Sequence, residues 1–295
     1  MSNGVRVATP APGCARIVLD TNAARNLGES EGLPPYLDVL IEMTAAGHVV
    51  HLADGAWAEL LAQRHRGSLG DVVFERMMTR LVPLLSTEVP VFLSGNDLRG
   101  YLGEDMGEPA WTESEFVGTS QRAMALLRAA TVLSPNAQLP EGHRAAEEVL
   151  QEVRDAWIAH FDRMLEELPP TAEDDELGGP TFEAFCRRVD DESDLPHPPM
   201  SKRMDLGIRY AWRQHVRKNR ERGAYNPASP KKLNDGIDFD LYYFLMLPAL
   251  LVTDDAGFGA KLDPIESFQR SWIYATARLT QAWRSGTIAA ATWPA

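Results

Sequence analysis

Six carboxylates stand beside short apolar runs where an α/β protein keeps its chemistry. Asp20 ends the run "RIVL" (16–19), and Thr21 and Asn22 follow it. Glu59 lies about one turn into the helical stretch after the run "HVVHLA" (48–53). Asp238 and Asp240 sit in "NDGIDFDLYYF", and Asp254 and Asp255 follow "LLVT" (250–253). In an open α/β sheet, ligands bind outside the carboxyl ends of the strands. Acids gathered at such an end repel one another, so some would hold protons or the site would be unstable. A hard divalent cation resolves that conflict, and Mg²⁺ takes oxygen ligands and bridges phosphates. Each acid alone has a plainer reading: Asp20 and Asp240 as helix N-caps, Glu59 as a solvated helix residue, Asp254 and Asp255 as a turn.

The elements that must position these acids follow from periodicity. Residues 15–19 read as a short buried parallel-type strand, and 48–53 as a second. Residues 34–47 read as a helix opened by proline and stopped by Gly47; 54–67 as a helix with Asp54 as N-cap and Gly67 as stop. Strand–helix–strand–helix order implies an α/β sheet with right-handed crossovers. Residues 250–253 read as a further strand and 271–286 as a closing helix. Between these ends, residues from about 70 to 168 read as mostly helical, with 143–168 the longest helix. The acidic, proline-rich stretch 169–200 reads as a loop or partly disordered connection. The expected organisation is a flexible leader over 1–14, a first half-domain over 15–68, a helical insertion over 69–200, and a second half over 201–295 that begins with a basic segment.

Composition narrows the setting. Apolar residues make up 44% of the 295, enough for a sizeable core, and the net charge of −13 argues against a general nucleic-acid coat protein. Cys14 and Cys186 form neither a disulfide framework nor a metal motif, which fits a reducing cytoplasm. The N-terminal residues carry no apolar signal region, and "LYYFLMLPALLV" (241–252) is too short to span a bilayer. No Gly-x-Ser-x-Gly, His-Glu-x-x-His or Gly-x-x-x-x-Gly-Lys motif is present, and an Asp-x-Asp phosphatase would need Asp at position 22, where Asn22 stands.

Four segments resemble the PIN domain, a nuclease fold of bacterial toxins and RNA-processing enzymes: "IVLDTN", "HLADGAWAELL", "NDGIDFDLYYFLMLP" and "LVTDDAGF". The resemblance covers roughly 15–67 and 233–262. It implies a three-layer α/β/α fold with a parallel sheet, here carrying a large, mainly helical insertion. It also implies an acid site of Asp20, Glu59, one of Asp238 or Asp240, and one of Asp254 or Asp255. Two acids two apart on a helix point to different sides, so only one of Asp238 and Asp240 should reach the site; the distance from Asp240 to "TDD" resembles that of family members with a short helix, and the resemblance therefore favours Asp240. Asp255, on the same side as Thr253, is preferred to Asp254. Thr21, Asn22 and Thr253 would orient the carboxylates. The implied activity is phosphodiester hydrolysis with Mg²⁺ or Mn²⁺, which lowers the pKa of a water and stabilises the leaving oxygen.

Charge is uneven. Residues 201–232 hold ten Lys or Arg against two acids, a local net of +8 that leaves −21 for the rest of the −13 chain. Arg209, Arg213, Arg217, Lys218, Arg220, Arg222, Lys231 and Lys232, interleaved with Tyr210, Trp212 and Tyr225, read as a surface that pairs with phosphates and stacks bases. The plainer reading is a basic helix paired with the acidic 169–194 stretch, which could also cover it until RNA arrives. The expectation is a metal-dependent endoribonuclease acting on RNA: a toxin, defence effector or RNA-processing enzyme. A protein inhibitor or antitoxin and a homodimer are partners to consider, and no membrane is expected. Two alternatives stay open: a non-catalytic PIN-like module binding RNA or protein, and a structure-selective DNA nuclease.

Overall fold

The computed structural model describes residues 10–103, 112–132, 140–195, 197–220, 225–229, 232, 234–289 and 291–293. The chain runs β1 (Arg16–Leu19), α1 (Thr21–Glu29), α2 (Pro35–Ala45), β2 (Val49–Ala53), α3 (Asp54–His65), α4 (Asp71–Leu81), β3 (Val91–Phe92), α5 (Gly95–Tyr101) and α6 (Glu113–Val132). It continues through α7 (Pro140–Glu167), α8 (Pro180–Asp191), α9 (Met200–Arg203), α10 (Asp205–Arg220), α11 (Asp235–Tyr243), β4 (Ala249–Val252), α12 (Ala256–Leu262), β5 (Ile273–Tyr274) and α13 (Thr276–Arg284).

The five strands form one all-parallel sheet in the order β3-β2-β1-β4-β5. β1 is central: Leu19 lies opposite Leu52 on one side and Val252 on the other. Its Ile17, Val18 and Leu19 are fully buried, which is why they form an unbroken apolar run. Each such burial contributes about 1.5–3 kcal/mol relative to exposure. From β1 the order steps one way to β2 and the other way to β4. The boundary between β1 and β4 is therefore the switch point outside which α/β sheets hold ligands.

Helices α1 and α4 pack together, α3 lies against α6 and α7, and α2 against α13. The arrangement is compatible with three α/β/α layers. Gly236 sets the approach of α11 to α7. A Cβ there would stand 2.9 Å from both Trp157 Cβ and Val153 O, closer than packed atoms come.

Several sequence expectations change. The 69–200 segment is not wholly an insertion, because it contains β3, an edge strand of the sheet. The 169–200 stretch holds two helices, α8 and α9, rather than an open connection. Buried Asp174 ties its start: it accepts from Thr171 N at 2.7 Å and Thr181 N at 2.9 Å. A second apolar cluster, with Phe182, Met200, Met204 and Trp212, anchors the rest. The closing helix begins only at Thr276, after β5. Asp54 is the first residue of α3 and not its cap; the N-cap is Ala53. Of the expected leader, residues 1–9 lie outside the described residues, while 10–14 line a cavity with Trp283. Among the described residues, no helix is long and apolar enough to cross a membrane.

Candidate active site

Asp20 leaves the carboxyl end of β1 nearly buried, 8% exposed. One of its oxygens accepts from Thr21 N at 2.6 Å, so it caps α1; the other accepts from Thr253 Oγ1 at 2.7 Å. The plainer reading of this residue, a helix cap, is thus realised. Burial raises its proton affinity, the hydrogen bonds from Thr253, Thr21 and the Asn22 backbone oppose that, and the nearby Asp255 adds to it. Asn22 thus contributes to Asp20 through its backbone amide.

Thr253 organises two acids at once. It donates to Asp20, and its Oγ1 accepts from Asp255 N at 3.2 Å. Asp255 caps α12, accepting from Phe258 N at 2.9 Å. From α3, Glu59 accepts from Thr21 Oγ1 at 2.5 Å. Burial pushes Glu59 up to about 7, with Asp20 and Asp238 adding and Thr21 opposing. From α11, Asp238 is pushed up to about 6 by burial, with Asp255 and Asp20 adding and Lys261 opposing. Four acids from four separate elements therefore share one electrostatic field at the switch point.

The helix phase decides between the two α11 acids. Asp238 feels Asp20 and Asp255; Asp240 does not join them. The preference for Asp240 is corrected: it projects from the other side of α11, where Ser94 Oγ donates to it at 3.1 Å and Asp54 and Asp97 are its charged neighbours. Asp254 also turns aside. It accepts from Asn26 Nδ2 at 2.5 Å and from Thr276 N at 2.8 Å, tying α1 to α13.

Sequence reading missed Asp235 and Lys261. Lys261 Nζ sits 2.5 Å from Asp238 and 2.8 Å from Asp235, which is 3% exposed. The i, i+3 spacing of Asp235 and Asp238 was a usable signal that they share a helix face. Nothing in "AGFGAKL" marks Lys261 as their partner. Tyr36 was missed as well: its buried hydroxyl has no hydrogen-bond partner among the described residues and lies in the field of Asp254 and Asp20.

The donor chemistry suits a hard cation: all oxygen, anionic, oriented by two threonines. Among the described residues, no three acidic, His or Cys side chains are already placed to hold one ion. Binding would require the carboxylates to close together, and Asp238 to give up Lys261.

The basic segment departs from its expected role. Tyr210 and Trp212 are fully buried, and buried Tyr225 accepts from Trp157 Nε1 at 2.8 Å, so these rings are core and not a stacking surface. Arg213 pairs with Glu176 at 2.6 Å and Arg217 with the same residue at 4.0 Å. Lys218 meets Asp162 at 2.9 Å, Arg209 meets Asp205 at 2.8 Å, and Lys232 meets Asp235 at 3.8 Å. Arg220 donates to the backbone oxygens of Thr171 and Asp174. The plainer reading, a basic helix partnered by the acidic stretch, matches this geometry. Arg222 and Lys231 lie outside the described residues.

Compared with protein-family models, curated proteins and solved structures, the chain finds no match in any of the three.

Proposed function

We propose that the chain is a PIN-like, metal-dependent endoribonuclease whose acid site is Asp20, Glu59, Asp238 and Asp255. The observation that carries this reading is the hydrogen-bonded chain in which Thr21 joins Glu59 to Asp20 and Thr253 joins Asp20 to the backbone of Asp255, beside the central strand β1, with Asp238 near enough to be raised by Asp255 and Asp20. Mg²⁺ or Mn²⁺, when bound, would polarise a water and offset the charge that develops on a phosphodiester. The chain's own residues supply the rest. Thr253 holds Asp20 and the Asp255 backbone in one register, and Thr21 fixes Glu59 Oε2. Lys261 holds the charge of Asp238 and Asp235 in the absence of an ion.

The test is cleavage of a labelled mixed-sequence RNA, beside the matching DNA, with Mn²⁺ and with EDTA, by wild type and Asp20→Asn. The expected result is RNA cutting that needs both Mn²⁺ and Asp20. Preferential cutting of DNA would favour the DNA-nuclease alternative. Binding without cutting, unchanged by EDTA, would favour a non-catalytic module.

A further inference from the structure

Asp20 stands at the carboxyl end of β1. The opposite end of the sheet holds a different feature, an open cavity of about 800 Å³. Arg16 begins β1, His48 precedes β2 and Pro248 precedes β4, and all three line it. Four residues of extended chain separate Arg16 from Asp20, about 13 Å, so the cavity is distinct from the acid site. Its volume falls in the range of small-molecule sites.

The wall is apolar and within reach of a ligand. Trp283, Leu247, Leu102 and Ile288 line it, and each is only partly buried. Trp283 is fixed at its Nε1, which donates to Glu42 Oε2 at 2.7 Å, and its ring meets that of His48 edge to face at 5.6 Å. The charge of Glu42 is answered by Arg284 at 3.2 Å.

The polar groups select the sign of what could enter. His48 Nδ1 accepts from Ala15 N at 3.0 Å. A nitrogen that accepts carries no proton, so the neutral ring keeps its proton on Nε2. Burial pulls the His48 pKa down, which holds the ring in that neutral form. Nε2–H is then a donor, and it has no hydrogen-bond partner among the described residues. Arg16 is the single formal charge among the described lining residues, in a chain whose net charge is −13. Its guanidinium lies over the Phe92 ring at 4.7 Å, and the residue is 7% exposed. A cation in so dry a place acts on the cavity through its field, which a low dielectric leaves strong. That field draws an anion and repels an ammonium. One neutral donor and one buried cation suit a monoanion; a phosphate dianion would need more donors.

We propose that this cavity binds a free monocarboxylate with an apolar tail, of the medium-chain fatty-acid class. The head meets His48 Nε2–H in the field of Arg16, and the tail lies against Trp283, Leu247 and Ile288. The binding does not depend on the nuclease reading.

The experiment titrates the full chain by calorimetry with decanoate, decanol, decylamine and acetate, each below the concentration at which it aggregates. Saturable binding of decanoate is expected, with the other three at least about tenfold weaker, the difference one charge-assisted hydrogen bond supplies. His48→Phe keeps a ring beside Trp283 and removes the donor, so it should weaken decanoate about tenfold. Arg16→Met should weaken decanoate and spare decanol. Ala291→Phe, on the partly exposed edge of the cavity, should weaken both by filling it, and it carries the test if the other two variants fold poorly. Asp20→Asn should bind decanoate as wild type does. Equal affinity for decanoate and decanol, no saturation by decanoate, or decanoate binding indifferent to Ala291→Phe would overturn the proposal. Acetate binding as tightly as decanoate would also overturn it, leaving an anion site without a tail pocket. So would sedimentation of the chain with phosphatidylglycerol vesicles and no response to free decanoate, which would mark a membrane surface instead.

Discussion

Lys261→Met separates a metal site from a closed ion pair. Lys261 Nζ lies 2.5 Å from Asp238 and 2.8 Å from Asp235, and the carboxylates are 18% and 5% exposed against 24% for the lysine. Burial alone would lower the lysine pKa, but Asp238 and Asp235 outweigh it and keep the ammonium charged. Removing one partner of a buried pair costs about 3–5 kcal/mol. With the lysine partly solvated, about 2–3 kcal/mol is the better figure, because water screens what remains. For a chain of this size that is a fall of about 4–10 °C in melting temperature. Methionine keeps the packing volume, so the loss reports the charge. An ion held by the same carboxylates would restore about 2.7 kcal/mol at a hundredfold excess over its Kd. Thermal unfolding in EDTA and in Mn²⁺ therefore gives a signature: the variant falls well below wild type in EDTA and recovers most of the gap in Mn²⁺. Wild type should gain less, because its Asp238 must first leave Lys261. A variant that melts with wild type in EDTA would refute the energetic argument. One that falls but gains nothing from Mn²⁺ would refute the metal site.

Asp238→Asn should lose RNA cleavage by about a hundredfold or more, and Thr253→Val by about 10–100-fold, while Asp240→Asn keeps turnover at saturating RNA. Loss of turnover in Asp240→Asn with Asp238→Asn active would reverse the assignment. Gly236→Ala should cost about 1–3 kcal/mol by denaturant unfolding, because its Cβ meets Trp157 and Val153 O, and should shrink the Mn²⁺ shift by moving α11. His51 is fully buried, its Nδ1 is 2.6 Å from Val89 O, and burial pulls its pKa down to about 3, with Arg16 adding to the fall. The unfolded chain then binds the extra proton first, so stability falls as pH drops below about 6.5, by about 2 kcal/mol at pH 5. His51→Gln should remove that component, and parallel stability–pH curves for the two proteins would contradict it.

The parts of the fold legible in sequence are those with enough residues to show a period. β1, β2 and β4 are apolar runs of four or five residues, and α2, α3 and α7 fall close to their expected ranges. β3 and β5 have two residues each, too few for any period; "IY" in β5 lies inside a stretch whose neighbours read as helix. The acidic 169–200 stretch misled for another reason. Its composition predicts poor self-burial, but the burial comes from elsewhere: Trp212 of α10 donates to Asp175 O at 2.9 Å, and Arg213 reaches Glu176. Tyr210 and Trp212 misled in the same way, since aromatics between arginines fit an RNA surface and a buried helix face equally, and only the tertiary partners decide.

The acid site shows where local sequence stops and topology takes over. The strand-end position of Asp20 follows from strand geometry, so the sequence could place it; Thr253 and Asp255 lie just past the end of β4 and are paired by a hydrogen bond from Asp255 N to Thr253 Oγ1. Asp238 against Asp240 depends on helix phase, and phase depends on how α11 docks. Gly236 lets α11 close on α7, and Lys261 draws Asp235 and Asp238 to the α12 side. Neither constraint is local to "IDFD". The same docking sends Asp240 to the opposite side, so a single rotation of one helix fixes both clusters. A change that re-phases α11 must therefore disturb the surroundings of Asp238 and Asp240 together, whereas Asp238→Asn and Asp240→Asn should each disturb one. Measuring Mn²⁺ stabilisation on Gly236→Ala and on both Asn variants tests that coupling. A smaller Mn²⁺ shift in Gly236→Ala, its loss in Asp238→Asn and the wild-type shift in Asp240→Asn is the expected pattern. A full Mn²⁺ shift in Gly236→Ala would show that the acid site is positioned independently of the α11–α7 contact.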